Sequence, residues 1–583
     1  MSALRPQDRD AAFRWMADDV DPTAKLELQR VVAGAMGGDE SARAELADRM
    51  AGTLTFGTAG LRGPLRAGPN GMNRAVVVRA TAGLAAWLVK QGHGGGIVVV
   101  GRDARHGSAE FAQDAADVFA SAGFDARVLP RPLPTPVLAY AVRSLGAVAG
   151  VQVTASHNPP QDNGYKVYLG DGTQIVPPAD RQIEAEIEAV GAAISVSRTT
   201  PARTVLDESL VQDYLAAAAA VVRPAAPGSG PVDRSALRIA ATPLHGVGGE
   251  PLVAALRGAG FTDVRLVQSQ AAPDPEFPTV GFPNPEEPGT VDELLALAAE
   301  SSADLAVALD PDADRCALGA RGRDGVWRML RGDETGVLLA HHLLSTLDRG
   351  RHPDPLVATT IVSSSLLKAM AAEHGVRYDE TLTGFKWLVR AGDGSGTGLV
   401  YAYEEALGHC VAPDSVRDKD GISAAVLAAD LVAGLRATGR DVWDVLDELA
   451  GRHGVHLTEG LSLRLTEVSA GARLMRALRA EPPTTLAGVA VEMEDLSPRS
   501  DVLVLRGAGL RVVVRPSGTE PKLKAYLEIV EQVADSADQD TDPTGQAPDA
   551  ERSAPSAPAI AAARQRASDR LAGLRTEVAA LLA

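Results

Sequence analysis

An α/β protein of several domains is the fold this sequence predicts, on three observations. The chain has 583 residues, too long for one hydrophobic core, and at about 100 to 200 residues per domain it divides into three to five domains. Short β-branched runs alternate with alanine-rich stretches of helical spacing, the pattern of strand and helix units. The last part changes character, with alternating charged and apolar strands that point to a smaller α+β domain.

Taken in order, residues 1–50 read as polar helices (DPTAKLELQRVVAGAM, SARAELADRM) that precede the first domain. Residues 51–205 carry strands in GIVVVGRD, DARVLP and AVAGVQVTAS and a helix in ARHGSAEFAQDAADVFASAG. Residues 206–330 repeat the alternation with LRIAATPLHG, DVRLVQ, VDELLALAAESS and LAVALDPDAD. Residues 331–452 do so with PLVATTIVSS, TGLVYAYEEA and DGISAAVLAADLVAGLRATG. Breaks fall at PARTVLDESL, RGDETGV and GRHGVHLTEG, and each unit places a short polar loop after a buried strand. Residues 453–583 hold GLSLRLTE and DVLVLRGAGLRVVVRPSGTEPKLKAYLEIV. The span 531–558 is acidic and rich in Pro, Ser and Ala, which predicts a disordered insertion. Apolar positions at helical spacing in IAAARQRASDRLAGLRTEVAALLA predict a terminal helix.

A formal net charge of −18 leaves no basic footprint for nucleic acid or an anionic membrane, so an anionic substrate must be held by local clusters of cations. Cys316 and Cys410 are the two cysteines and form no C-x-x-C pair, which supports neither a disulfide framework nor a thiolate zinc site. The N-terminus has no apolar leader, and no window approaches about 18 uncharged apolar residues. These features predict a cytoplasmic protein, a monomer or small homo-oligomer. Eight lysines stand against forty-nine arginines, so the position of a lysine carries information. Lys166, Lys386, Lys419, Lys522 and Lys524 all fall in polar loops with other reactive residues.

In TASHNPPQDNGYK, Ser156 stands beside His157, and Lys166 follows ten residues after the serine. Asn-Pro, Pro-Pro and Asn-Gly are ordinary turn dipeptides, so this window alone leaves Ser156 as either nucleophile or turn residue. In LAVALDPDADRCAL, Asp310, Asp312 and Asp314 leave an apolar strand at i, i+2 and i+4. Three clustered carboxylates repel one another, and a hard divalent cation with oxygen ligands, most simply Mg²⁺, removes that cost. An EF-hand is excluded, because its glycine and glutamate positions hold Arg315 and Arg321.

In RPSGTEPKLK, Ser517, Gly518 and Thr519 form a small-residue turn whose N–H groups and hydroxyls can converge on an anion, and Arg515 adds a planar donor. The chain has no Gly-Lys dipeptide and hence no Walker A loop. In YAYEEALGH, Glu404 and Glu405 follow a strand, where a carboxylate can accept hydrogen bonds from sugar hydroxyls, with His409 and Lys419 close behind. Thr383, Gly384 and Lys386 sit in TLTGFKWL, a small-residue loop after a helix-like segment. Cations gathered near a transferred phosphate are what phosphoryl transfer requires.

In order and spacing, TASHNPPQDNGYK, DPDADR, EEALGH and RPSGTEPK resemble the α-D-phosphohexomutase superfamily, which includes phosphoglucomutases and phosphomannomutases. The resemblance implies four domains around a central cleft, three related α/β units and a fourth that is TATA-box-binding-protein-like. It implies that Ser156 is phosphorylated in the resting enzyme and completes a Mg²⁺ shell with Asp310, Asp312 and Asp314. Arg62, in FGTAGLRG, would approach the phosphoserine, Arg315 would face the same phosphate, and His157 and Lys166 would serve proton transfer or charge stabilisation. Arg515, Ser517, Gly518, Thr519 and Lys524 would hold the phosphate that does not react. Substrate contacts would come from Thr383, Gly384, Lys386, Glu404, Glu405, His409 and Lys419. The implied reaction moves phosphate between C1 and C6 of glucose or mannose through a sugar bisphosphate, with a sugar 1,6-bisphosphate as activator. Many members spell the sugar loop Glu-x-Ser, whereas here Ala406 or Leu407 replaces the serine. That spelling is similar to a long branch with phosphopentomutases and glucose-1,6-bisphosphate synthases, which are the alternative activities.

Overall fold

The computed structural model describes residues 4–57, 60–198, 203–223, 232–465, 468–516, 522–533 and 556–582. The chain forms two compact units, Met1–Leu330 with Ala406–Ala433 and Arg331–Glu405 with Gly434–Ala583. The architecture is α/β, with three mixed or parallel sheets and one antiparallel sheet.

The first unit opens with helices Pro6–Asp18, Pro22–Met36 and Glu40–Arg49, one more than the sequence pattern singled out. The Asp21 and Asp39 side chains accept backbone N–H groups at the starts of the second and third helices, which satisfies donors that a helix start leaves open. Ala12, Leu28, Val32 and Leu46 form their shared core.

A six-stranded sheet follows, in the order Leu61–Pro64, Asp162–Leu169, Ala149–Val153, Ile97–Arg102, Asp125–Val128, Thr204–Val205. Its centre, Ile97–Arg102, is parallel to both neighbours, and such doubly covered strands read as unbroken apolar runs. Asp162–Leu169 turns back antiparallel to Ala149–Val153, pairing Gln152 with Lys166. This hairpin is why Lys166 lies near the serine loop despite its distance along the chain. The helical stretch read from ARHGSAEF begins only at Ser108, since Gly107 adopts φ 75° and the residues before it form a turn.

The second sheet runs Trp327–Met329, Cys316–Arg321, Leu305–Leu309, Arg238–Thr242, Asp263–Leu266. Leu305–Leu309 is wholly buried and pairs antiparallel with Cys316–Arg321, so the three aspartates occupy the tip of a hairpin. Ala313 at φ 55° folds that tip back on itself.

In the second unit, Leu356–Thr360 is parallel to Arg377–Thr381 and to Leu399–Glu404. The loop of Thr383 and Lys386 therefore follows a strand rather than the helix-like segment expected. The charged sequence Arg377-Tyr378-Asp379-Glu380-Thr381 masks that strand, which is only partly buried.

A six-stranded antiparallel sheet completes this unit, in the order Val455–Arg464, Lys522–Glu531, Leu510–Pro516, Leu503–Gly507, Val489–Asp495, Thr485–Leu486. Helix Ala557–Leu581 buries Ile560, Ala567, Leu571 and Val578 in the same core as Val512, Val514 and Leu527. Glu531 ends a strand and Ala557 starts this helix, so the expected insertion is narrower than 531–558; residues 534–555 lie outside the described residues. Among the described residues no single helix is long and apolar enough to cross a membrane.

Candidate active site

Ser156, on the loop after Ala149–Val153, has φ 52°, a left-handed conformation that costs a side-chain-bearing residue on the order of 1 kcal/mol. Several contacts hold it there. Its N–H donates to Thr154 Oγ1 at 2.9 Å. Arg105, 4% exposed, donates to the backbone carbonyls of Ser156 at 2.6 Å, Asn158 at 2.5 Å and Pro159 at 2.7 Å. A planar guanidinium with five donors suits such a clamp on three carbonyls. Arg62, on the edge strand Leu61–Pro64, donates to Asn158 Oδ1 at 3.1 Å.

The Ser156 hydroxyl donates to Asp310 Oδ2 at 2.7 Å and lies 3.2 Å from His157 Nδ1. Asp310, Asp312 and Asp314 are fully buried, and one carboxylate oxygen from each lies within 4.8 Å of the others. Lys166 reaches Asp312 at 2.6 Å and Asp314 at 2.8 Å. Thr135 donates its hydroxyl to Asp312 Oδ2 and its N–H to the Asp312 carbonyl at 3.0 Å. The Arg315 N–H donates to Asp310 Oδ1 at 3.0 Å, while its guanidinium stands 3.6 Å from Glu286.

Burial alone would lower the Lys166 ammonium, but Asp312 and Asp314 outweigh it and hold it above its ordinary value. Burial together with Asp312 and Asp314 pushes Asp310 well above the usual carboxylate range. Burial lowers His157 well below its ordinary value, and Arg315 and Arg62 add to this, so the imidazole is neutral.

The donor set fits a hard cation. Asp312 Oδ1 and Asp314 Oδ1 are buried with no hydrogen-bond partner, and a buried carboxylate oxygen without a donor is costly unless a cation takes it. The three candidate ligand atoms are all carboxylate oxygens, which suits Mg²⁺.

Lys419 and His409, expected among the substrate contacts, are both buried. Lys419 stands 3.3 Å from Asp314 and 3.4 Å from Asp418, so it joins the carboxylate cluster. His409 is fully buried in strand Gly408–Cys410, where burial lowers its imidazole to about 3 and keeps it from any solvent-borne ligand. The chain turns inward at Leu407, φ 65°, and the Arg315–Gly408 bridge carries it beside the metal hairpin.

In the second unit, Glu404 ends strand Leu399–Glu404. Glu405 Oε2 accepts from Ser363 Oγ at 2.8 Å and Thr360 Oγ1 at 3.2 Å. Burial, with Glu404 and Asp333 nearby, raises the Glu405 carboxyl to about 7. Arg515 donates to the Thr383 hydroxyl. Gly384 at φ 110° turns the chain into the short helix Phe385–Leu388 that carries Lys386. Lys524 is the cross-strand partner of Arg515. Ser517, Gly518 and Thr519 lie outside the described residues.

Sequence reasoning missed Arg105 and Thr135. GRDARHG did signal the first, an arginine in a glycine-flanked turn after a buried strand. Nothing comparable marked Thr135, whose partner is 177 residues away.

Family models match along the chain in order. They are described as phosphoglucomutase/phosphomannomutase α/β/α domain I at residues 53–193, domain II at 212–322, domain III at 331–453 and the C-terminal domain at 474–539. A Haemophilus influenzae protein named "Probable phosphomannomutase" is 42% identical over 467 residues, covering 79% of this chain and 93% of its own. A Mus musculus protein named "Phosphopentomutase" is 32% identical, covering 90% of each chain. A Staphylococcus aureus (strain MRSA252) protein named "Phosphoglucomutase" is 33% identical, covering 82% of this chain and 89% of its own. A crystal structure of a phosphoglucomutase/phosphomannomutase family protein from Burkholderia thailandensis superposes with a TM-score of 0.64 at 20% identity, covering 82% of this chain and 93% of that one, a likeness of fold.

Proposed function

Because this chain belongs to the phosphoglucomutase/phosphomannomutase family, whose members are phosphosugar mutases, we propose that it moves phosphate between C1 and C6 of a hexose, glucose or mannose, by way of a phosphorylated Ser156. The observation that carries this reading is the convergence of Ser156, the three aspartates and Lys166 in one buried cluster. In this reading residues 51–205, 206–330, 331–452 and 453–583 each contribute one loop to the reaction.

Asp310, Asp312 and Asp314 would hold Mg²⁺ together with the Ser156 phosphate. The ion supplies charge neutralisation for the transferring phosphoryl group. The chain's own groups then do the following. Arg105 and Arg62 fix the serine loop. A sugar hydroxyl attacks the phosphorus of phosphoserine, the bond from phosphorus to Ser156 Oγ breaks, and the hydroxyl proton leaves. His157, with Nδ1 3.2 Å from the serine hydroxyl, is the group placed to meet the proton, and charged Lys166 is suited to neutralise the departing Oγ. The product is a sugar bisphosphate, and its other phosphate returns to Ser156 after the sugar reorients. Arg515 and Lys524, with Ser517, Gly518 and Thr519, form the grip for the phosphate at rest, a task that favours generic anion donors.

Glu405 is the better candidate for sugar recognition than Glu404. Ser363 and Thr360 fix its carboxyl, and a carboxyl raised by burial gains from donors such as a pair of sugar hydroxyls. Leu407 then stands where many members have serine. The loss of that hydroxyl, together with the long match to the mouse phosphopentomutase, supports a pentose 1-phosphate as the second reading. Phosphorus NMR decides between them. With Mg²⁺ and a trace of sugar bisphosphate, a hexose 1-phosphate converts to its 6-phosphate faster than ribose 1-phosphate converts to its 5-phosphate, and Ser156→Ala converts neither. Release of inorganic phosphate in place of isomerisation overturns the mutase reading.

A further inference from the structure

Strand Leu510–Pro516 carries two arginines on one face, Arg511 and Arg515, with Val513 between them. Arg515 lies in the grip for the resting phosphate. Arg511 is 5% exposed and belongs to no loop that the sequence singled out. Its guanidinium donates to the Ser363 carbonyl and stands 2.7 Å from Glu528, its cross-strand partner. Glu528 in turn accepts from the Ser365 N–H at 2.7 Å and the Ser365 hydroxyl at 3.0 Å. Val513 packs with Ile361 and Val362 in one apolar cluster. The segment 361–365 is therefore held by this sheet through a guanidinium, a carboxylate and an apolar contact.

That segment holds the sugar-loop carboxylate. Ser363 Oγ donates to Glu405 Oε2 at 2.8 Å, and the Glu405 N–H donates back to Ser363 Oγ at 3.2 Å. Thr360 Oγ1 lies 2.8 Å from Ser363 Oγ and 3.2 Å from the same carboxylate oxygen. Both hydroxyls depend on where the backbone of this segment sits, and the Ser363 carbonyl is the point that Arg511 grips. Resting on the assignment of Glu405 to the sugar, we infer that Arg511 is a positioning residue for substrate selection. It fixes Ser363, and through it the angle at which Glu405 meets the sugar hydroxyls. One strand thus joins the phosphate grip at Arg515 to the sugar-reading carboxylate.

A buried arginine with three partners, the third being Glu380 at 3.5 Å, is otherwise read as a fold contact alone, so the test separates the two roles. The full chain is assayed with glucose 1-phosphate and with ribose 1-phosphate, and inorganic phosphate is used as a competitive inhibitor. Arg511→Lys keeps the charge opposite Glu528 and loses the planar fork. It is expected to shrink the parent's preference between the two sugars, read as the ratio of kcat/KM values, by about tenfold. The inhibition constant of inorganic phosphate should move by less than about twofold, since Arg515 is untouched. Ser363→Ala should produce the same loss, and the double variant no more than either alone, because the two act in series. Arg479→Lys, which changes an exposed pair with Asp495 and Asp501, serves as the stability control and should leave the preference intact. An unchanged sugar preference in Arg511→Lys overturns the proposal. So does weakening of both sugars and inorganic phosphate in parallel with a fall in Tm, which is the pattern of a fold contact. A parent protein that converts neither sugar phosphate refutes the mutase reading itself, and with no discrimination left for Arg511 to support, refutes this inference as well.

Discussion

Ser156 donates its hydroxyl to Asp310 at 2.7 Å, joining two loops that stand 154 residues apart in the chain. The contact places a hydroxyl at the edge of an acidic cluster, on a backbone held at φ 52°. Removing the hydroxyl and relaxing the backbone are therefore separable. Ser156→Ala is expected to lower isomerase turnover by at least about a thousandfold and to remove any covalent phosphate seen by intact mass. Ser156→Gly should be equally inactive yet more stable than Ser156→Ala by about 1 kcal/mol, because glycine adopts positive φ without penalty. Urea unfolding of the two variants checks the second statement, and equal stability would show that the serine conformation stores no strain.

Lys166 compensates two buried carboxylates at once. Replacing one partner of a buried pair leaves the other charge uncompensated, a loss of about 3–5 kcal/mol. Lys166→Met is expected to fall in that range when the protein is unfolded with urea in a metal chelator. Saturating Mg²⁺ should raise the variant's stability more than the parent's, since the ion then carries the compensation that the ammonium supplied. Equal gains in the two proteins would mean that the aspartates are not the site of the ion.

Glu405 sets a pH dependence whose sign follows from its raised value. The folded carboxyl titrates at about 7 against an ordinary value of 4.5, so between those values the folded state binds more protons than the unfolded. Its contribution is fully present below about pH 4.5 and is lost as pH rises through about 7, on the order of 3 kcal/mol in all. Glu405→Gln should flatten this limb while leaving the acid limb of the Glu528 carboxylate. Burial opposes ionisation of Glu528, but the His456 hydrogen bond and Arg511 outweigh it and hold it at about 2, so its contribution is present above about pH 4.5 and is lost as pH falls toward 2. Denaturant midpoints from pH 2 to 8 read both limbs.

The serine and aspartate loops were legible because each leaves an apolar strand and concentrates small or acidic residues that no core would choose. Spacing sufficed there, since Asp310, Asp312 and Asp314 converge through one local turn at Ala313. Other members of the cluster reach it by pairing through space. Thr135 meets Asp312, and Lys419 meets Asp314. His409 shows the opposite error, since adjacency to Glu405 suggested a ligand contact where the turn at Leu407 sends the imidazole into the core. Arg511 carried no signal of function beyond being an arginine in an arginine-rich chain, whereas Arg105 stood in a glycine-flanked turn after a buried strand. Strand Arg377–Thr381 was hidden because its charged side chains imitate a polar helix face.

Behind the metal hairpin, the backbone of Gly246 abuts Pro311. A Cβ there would collide with the Pro311 backbone, and the Val247 N–H donates to the Pro311 carbonyl at 2.9 Å. Pro311 lies between Asp310 and Asp312, so any push at Gly246 is delivered to the hairpin tip. Gly246→Ala is expected to cost about 1–3 kcal/mol from overpacking. It should also weaken Mg²⁺ binding by about tenfold or more, because a small displacement separates carboxylates that must converge within an octahedral shell. The midpoint of Mg²⁺-dependent thermal stabilisation reads the affinity without reference to turnover. Gly434→Ala, in helix Gly421–Ala437 with nothing within 4 Å of the added carbon, is the matched control and should gain about 0.5–1 kcal/mol. If Gly246→Ala loses stability while keeping the parent's Mg²⁺ midpoint, the hairpin is supported from elsewhere and Gly246 is a packing residue only.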